Sequence, residues 1–245
     1  MPPTRPAGKN AKETIQVLSW VADWKPHLSS KASRCIALGS LIENLYGAIL
    51  TSMLGANAKP AAAMYKSLQS LNAQSAVVLA AAEAVLSDDE LDVLSAVTSL
   101  CNRAMKHRHR FAHWVWGHSK GYPEAIILID PKALLEYELE TAVTQGNNDN
   151  RGLQTNFDPS SCLIYDEAAL VEAVNELKSA EENLARFRFA VLPFSRQLSR
   201  VAGAYQPLRE IAEQPDVKLE LQKLAEKRQK NPEAQPPRPR RGRRG

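Results

Sequence analysis

The sequence predicts a mainly α, in effect all-α, fold: a helical bundle with a small two-stranded β insert and extra flanking helices. Three observations carry this. Apolar residues recur at i, i+3, i+4 and i+7 over several long stretches. Aromatic residues make up only 6% of the chain while 44% is hydrophobic, so the core must be built largely from alanine and leucine, both strong helix formers. Ser87-Asp88-Asp89-Glu90 has the capping-box form, serine at the cap and glutamate three residues on, just before an apolar periodic run.

Taken in order, residues 1–12 are polar and proline-containing and read as a disordered N-terminus. Residues 13–32 read as an N-terminal helix and its exit: Val17, Trp20, Val21 and Trp24 form one stripe, and Pro26 ends it. The main domain is expected over 33–195. Its first helix spans Ser33 to Leu54, with Leu38, Leu41, Ile42, Leu45, Ile49 and Met53 at helical spacing. Gly39 and Gly47 inside it predict close approach by another helix, because each is worth about 1 kcal/mol less than alanine in an exposed helix. A helix over 61–86 follows, then one from Asp88 to Arg110 with the stripe Leu94, Val97, Cys101 and Met105. Arg108 continues that stripe where an apolar residue is expected.

The pattern changes after Gly117. An insert over 120–165 carries two predicted strands, Ala125–Ile129 and Cys162–Tyr165. Between them lie a helix over 133–143 and a loop over 145–159 rich in Asn, Asp and Gly. Asp166 caps a helix reaching Leu192, which Pro193 ends. Residues 196–230 read as C-terminal helices, and 231–245 as a disordered Arg/Pro/Gly-rich tail.

Charge sits unevenly. The net charge is +4, but Arg238, Arg240, Arg241, Arg243 and Arg244 fall in the last eight residues; without them 26 basic groups face 27 acidic ones. The basic balance belongs to the tail, which is expected to contact nucleic-acid phosphates non-specifically or to serve as a solubilising extension. Cys35, Cys101 and Cys162 are widely spaced, with no metal-binding pattern, and read as reduced thiols. No apolar leader or membrane-length apolar run stands out, so the expected setting is the cytoplasm, with no membrane partner. Neither GxGxxG nor GxxxxGK[ST] occurs, which weighs against Rossmann oxidoreductases and P-loop hydrolases; α/β-hydrolases are likewise set aside.

One stretch concentrates chemistry. Four of the five histidines, His107, His109, His113 and His118, fall within twelve residues, together with Lys106, Arg108, Arg110, Trp114 and Trp116. A guanidinium gives a fixed, bidentate contact to phosphate. An imidazole gives and takes protons near neutral pH. Together these are the minimum for metal-independent RNA cleavage, with arginine holding the phosphate and histidine as general acid or base. Arg108 and His113 lie about 140° apart on an ideal helix, so a helix that ends or bends near Arg110–Phe111 is expected to bring them together. One histidine cannot make both proton transfers. A second copy across a two-fold axis supplies another, or His109 does. His109 and His113 at i, i+4 would suit zinc, but no third ligand or HExxH accompanies them, and no metal or cofactor is expected.

Arg108-His109-Arg110-Phe111-Ala112-His113 resembles the Arg–polar–x–x–x–His signature of HEPN domains, with a helix leading in and Trp-Gly shortly after. The likeness covers about residues 33–192, and the order of helices is similar to the HEPN four-helix up-down bundle. It implies a homodimer with two motifs face to face. It also implies ribonuclease activity in toxin, phage-defence or RNA-processing settings, with an antitoxin or other protein partner. Arg108 and His113 then carry over as catalytic residues and His109 as the supporting polar residue. Glu43, beside the glycine-lined stretch, is either a second supporting group or a solvated charge. Arg110 and Lys106 join the tail arginines as RNA-binding groups. Where some HEPN toxins carry a modified tyrosine two residues after the histidine, this chain has Val115. The alternative is a catalytically inactive HEPN-like dimer that binds RNA or protein.

Overall fold

The structure is a computed structural model. It describes residues 15–17, 21–55, 58–68, 70–146, 159–191 and 207–230. The fold is mainly α, with the character of a helical bundle and one small antiparallel sheet. The chain divides into two compact units, one of residues 1–41 and 104–179, the other of 42–103 and 180–245.

In the first unit lie β1 (Ile15–Val17), α1 (Val21–Trp24), the first half of α2 (Pro26–Leu54) and the end of α5 (Asp88–His113). They are followed by β2 (Val115–Ser119), β3 (Ile126–Ile129), α6 (Pro131–Gly146), β4 (Cys162–Tyr165) and the start of α7 (Glu167–Val191). The sheet order is β1-β2-β3-β4, with Val17 opposite Gly117, Val115 opposite Ile129 and Ile129 opposite Cys162. Every residue of β3 and β4 is buried, as a continuous apolar run requires. Ile127, Ile129 and Cys162 form a core that Ile15, Val115, Tyr122 and Leu134 close over.

Two expectations are corrected here. The sheet has four strands, not two. The helix read over 13–24 is instead a strand and a single helical turn. Ile15 to Val17 is short and β-branched, and pairing with Ser119–Gly117 gives its backbone donors and acceptors partners that a terminal helix would leave to water. Val21 is fully buried while Trp24 is 58% exposed, so the supposed stripe does not face one surface. Pro26 opens a helix rather than ending one. It stands at the first helical position, where its missing N–H is not needed.

The buried seam of α2 is also rotated from the expected stripe. It runs Leu28, Ala32, Cys35, Gly39, Ile42, Tyr46, Ile49 and Met53, alternating steps of four and three, whereas Leu41 is 49% exposed. By length and composition α2 could cross a membrane, and a third of its apolar window is buried within the chain. Gly39 does mark a close approach, from the chain's own α5. A Cβ there would stand 3.0 Å from Arg108 Cβ and 3.1 Å from Met105 Sδ.

The second unit contains the rest of α2, then α3 (Ala58–Lys66), α4 (Leu71–Val85), most of α5, the end of α7, α8 (Leu208–Ala212) and α9 (Pro215–Lys230). The helix expected over 61–86 is two helices. Ser70 restarts the chain by accepting from Ala73 N (3.2 Å), as an N-cap does. The capping box at α5 forms as read: Ser87 N donates to Glu90 Oε2 (2.8 Å) and Ser87 Oγ accepts from Glu90 N (3.4 Å). Ser87→Ala is expected to cost about 1 kcal/mol, lowering the melting temperature by about 2–4 °C. The expected loop over 145–159, the expected helix from Ser195 and both chain ends lie largely or wholly outside the described residues.

Helix α9 is tied to α5 at both ends. Glu220, only 7% exposed, accepts from Arg103 Nη1 (2.6 Å) and Lys223 Nζ (2.8 Å), and Arg228 forks onto Asp92, with Nη1 2.7 Å from Oδ2. Burial would raise the Glu220 carboxyl, but its hydrogen bonds to Lys223 and Arg103 outweigh that and hold it below the usual range. Its folded pKa is therefore the lower one, so its stabilisation is present above the ordinary carboxylate range and lost as pH falls through the folded value. Glu220→Ala is expected to cost about 1–2 kcal/mol at neutral pH and progressively less as pH falls through the folded value. Thermal melts across that range check it.

Candidate functional site

The end of α5 turns directly into β2, and that joint positions the cluster. Helix α5 runs to His113 and does not end or bend at Arg110–Phe111, which corrects the expected geometry. Trp114 N donates to Arg110 O (2.9 Å), and the Trp116 indole donates to Phe111 O (3.2 Å). These bonds satisfy carbonyls that a helix end leaves open. Arg110 and His113 lie in the last turn, where positive charge complements the helix dipole.

Arg108 and His113 nevertheless meet. Arg108 Nη1 lies 3.5 Å from His113 Nε2. A long, half-buried side chain closes the gap that the azimuth opens: its stem passes against Gly39 and its head reaches one turn forward. A guanidinium only donates, so Nε2 is the acceptor in this contact, which the tautomer with its proton on Nδ1 allows. The Nε2 edge of the ring thus faces the Arg108 guanidinium.

His109 stacks obliquely on His113, ring centroids 4.8 Å apart, and both are exposed. The His109 pKa is pushed down, first by partial desolvation and then by His113, Arg108 and Arg110 around it. Three cationic or ionisable groups therefore converge on one imidazole that stays neutral at neutral pH. Lys106 is exposed on the same stretch. Glu43 falls in the other compact unit, half-buried, where its charge helps to raise the Tyr65 pKa after burial. The tail arginines Arg238, Arg240, Arg241, Arg243 and Arg244 lie outside the described residues.

In the sequence His107 has no role of its own, and nothing there joins it to Tyr165 or Glu176. His107 is 9% exposed, with Nδ1 3.0 Å from Tyr165 Oη and Nε2 3.4 Å from Glu176 Oε2. Arg110 Nη1 donates to the same Tyr165 oxygen (3.2 Å), and its guanidinium lies 5.8 Å from the Trp114 ring centre. The only sequence signal for Tyr165 was a polar tip closing an apolar strand. His118 stands on β2, edge-on to Trp24, its pKa lowered by burial and by Lys25.

Gly117-His118-Ser119-Lys120-Gly121 has the GxSxG spacing of α/β-hydrolases, contrary to the expectation that excluded them. The geometry disposes of it. Ser119 ends a strand that turns into β3 rather than into a helix, it is 1% exposed, and its Oγ accepts from Gly121 N (3.2 Å). Among the described residues no three His, Cys, Asp or Glu are placed to hold a metal ion. None of the three cysteines forms a disulfide; burial pushes the Cys35 and Cys101 thiols up to about 12. Comparison with protein-family models, curated proteins and solved structures finds no match to this chain.

Proposed function

We propose that the protein is a metal-independent endoribonuclease of the HEPN type, working as a cytoplasmic homodimer in a toxin, defence or RNA-processing setting. The observation that carries this is the contact between Arg108 Nη1 and His113 Nε2, at 3.5 Å, on the accessible end of one helix. Arg108 holds the scissile phosphate and stabilises the charge that develops on it. When phosphate takes over the Arg108 N–H, the lone pair on His113 Nε2 is freed to take the proton of the 2′-hydroxyl. The attacking oxygen closes a 2′,3′-cyclic phosphate, and the 5′-oxygen leaves with a proton from a second imidazole. That imidazole is His113 of a second copy, in its protonated form. Lys106 and Arg110 add phosphate contacts. A protein antitoxin would act by covering this exposed helix end.

The purified protein is tested on single-stranded RNA in EDTA. Products ending in 2′,3′-cyclic phosphate are expected. RNA bound but never cut would favour the inactive binding module instead, with affinity falling when residues 236–245 are removed. Cleavage that survives only with added metal would overturn the reading.

A further inference from the structure

The buried group His107 has no part in the cleavage scheme, yet it lies at the centre of a polar chain linking α5, β4 and α7. Glu176, on α7, is 3.4 Å from His107 Nε2; His107 Nδ1 is 3.0 Å from Tyr165 Oη; Arg110 Nη1 is 3.2 Å from the same oxygen. When the His107 ring is neutral, the two ends set the direction of the chain. Arginine only donates, and a carboxylate only accepts. Tyr165 Oη therefore accepts from Arg110 and passes its own proton toward His107 Nδ1, and His107 presents its Nε2 proton to Glu176. Every intermediate group donates once and accepts once.

Tyr165 is fully buried and packs edge-on against Phe111, ring centroids 4.7 Å apart, so its hydroxyl cannot swing away. Burial, opposed in part by Arg110, raises its pKa, so the proton that the chain requires stays on the phenol at neutral pH. On its other side the Arg110 guanidinium lies near the Trp114 face. Two independent contacts thus set one half-buried cation whose charge reaches His109, as those of Arg108 and His113 also do.

We propose that Tyr165, His107 and Glu176 are positioning residues that aim Arg110 as a second phosphate-holding cation beside the Arg108–His113 pair. This rests on the RNA reading for its ligand, but not for its geometry. A lone surface arginine samples many rotamers and loses that freedom on binding. An arginine already held by a buried phenol presents a fixed N–H to one phosphate.

Two readouts separate the relay from the RNA reading. The first is the Arg110 guanidinium NMR signal of the free protein: its exchange with water is expected to be slow in wild type and fast in Tyr165→Phe and Glu176→Ala. Glu176→Gln, whose amide oxygen still accepts, should look like wild type. Glu176 is half-exposed, so its variants keep the result readable if Tyr165→Phe does not fold. The second is affinity for a single-stranded RNA oligonucleotide across salt concentrations. Arg110→Ala should reduce the salt slope by about 1. Tyr165→Phe should weaken binding about fivefold, and the double variant should bind no worse than Arg110→Ala alone. A merely structural tyrosine would instead give fully additive losses. An Arg110 signal unchanged in both Tyr165→Phe and Glu176→Ala, or full additivity in binding, overturns the relay. A signal that responds as expected in a wild-type protein that binds no RNA keeps the relay and removes the RNA reading.

Discussion

His113→Ala is expected to lower RNA cleavage by about 10²–10⁴-fold, the usual contribution of one well-placed proton-transfer group, while the fold survives. Both halves of that expectation come from position. His113 is the last helical residue of α5 and is exposed, so its removal opens no cavity and strands no buried partner. The loss to stability is that of an exposed side chain with few contacts, within about 0.5 kcal/mol. Chemistry depends on it far more. The His113 Nε2 edge faces the Arg108 guanidinium across 3.5 Å. His109, one turn earlier, is the nearest substitute. Its lowered pKa leaves it able to accept a proton, but removing it should have the smaller effect if His113 is the base. Cleavage rates of the two variants in EDTA, with melting temperatures alongside, check the pair. Cleavage by His113→Ala within threefold of wild type would remove it from the mechanism.

The site was legible in part because its residues are contiguous. Histidine and arginine at fixed spacing on one helix appear in the sequence as they appear in space. The capping box at Ser87 was legible for the same reason: its two bonds join residues three apart. Strands β3 and β4 announced themselves as short, β-branched apolar runs. What failed to show were features decided at a distance. Ile15–Val17 has a pattern compatible with helix or strand, and only the pairing partner at Gly117–Ser119 decides between them. The face of α2 that is buried follows from what α5 presents to it, so leucines at good helical spacing were read as core although Leu41 is half-exposed. Tyr165 and Glu176 stand 58 and 69 positions beyond His107, and no local pattern links a strand tyrosine to an imidazole on a helix. The same distance hid the meaning of GxSxG at Gly117–Gly121, where spacing alone matched but the following element did not.

Gly39→Ala carries the largest expected structural effect on the site, and two opposing terms decide its sign. Alanine favours a helix interior over glycine by about 1 kcal/mol. Against that, the new methyl would collide with Arg108 Cγ, stand 3.0 Å from Arg108 Cβ and 3.1 Å from Met105 Sδ. These atoms belong to the root of the arginine and to a buried methionine, not to a free side-chain tip, so α2 and α5 must part locally. Overpacking of that kind costs about 1–3 kcal/mol, and set against the propensity gain it leaves a net loss of up to about 2 kcal/mol, or up to roughly 8 °C in melting temperature. Activity should fall further than stability. Moving the Arg108 stem by even about 1 Å carries its guanidinium away from His113, and misplacement on that scale costs up to about 10²-fold in rate. Gly47→Ala is the control on the same helix. There the three nearest atoms all belong to the Tyr65 ring, at 3.1 Å or more, so a shift of a few tenths of an ångström makes room, whereas at Gly39 the new methyl would overlap Arg108 Cγ outright. It should leave both stability and cleavage within about twofold or 0.5 kcal/mol of wild type. Equal behaviour of the two alanine variants would mean that glycine at 39 serves the helix alone and not the placement of Arg108.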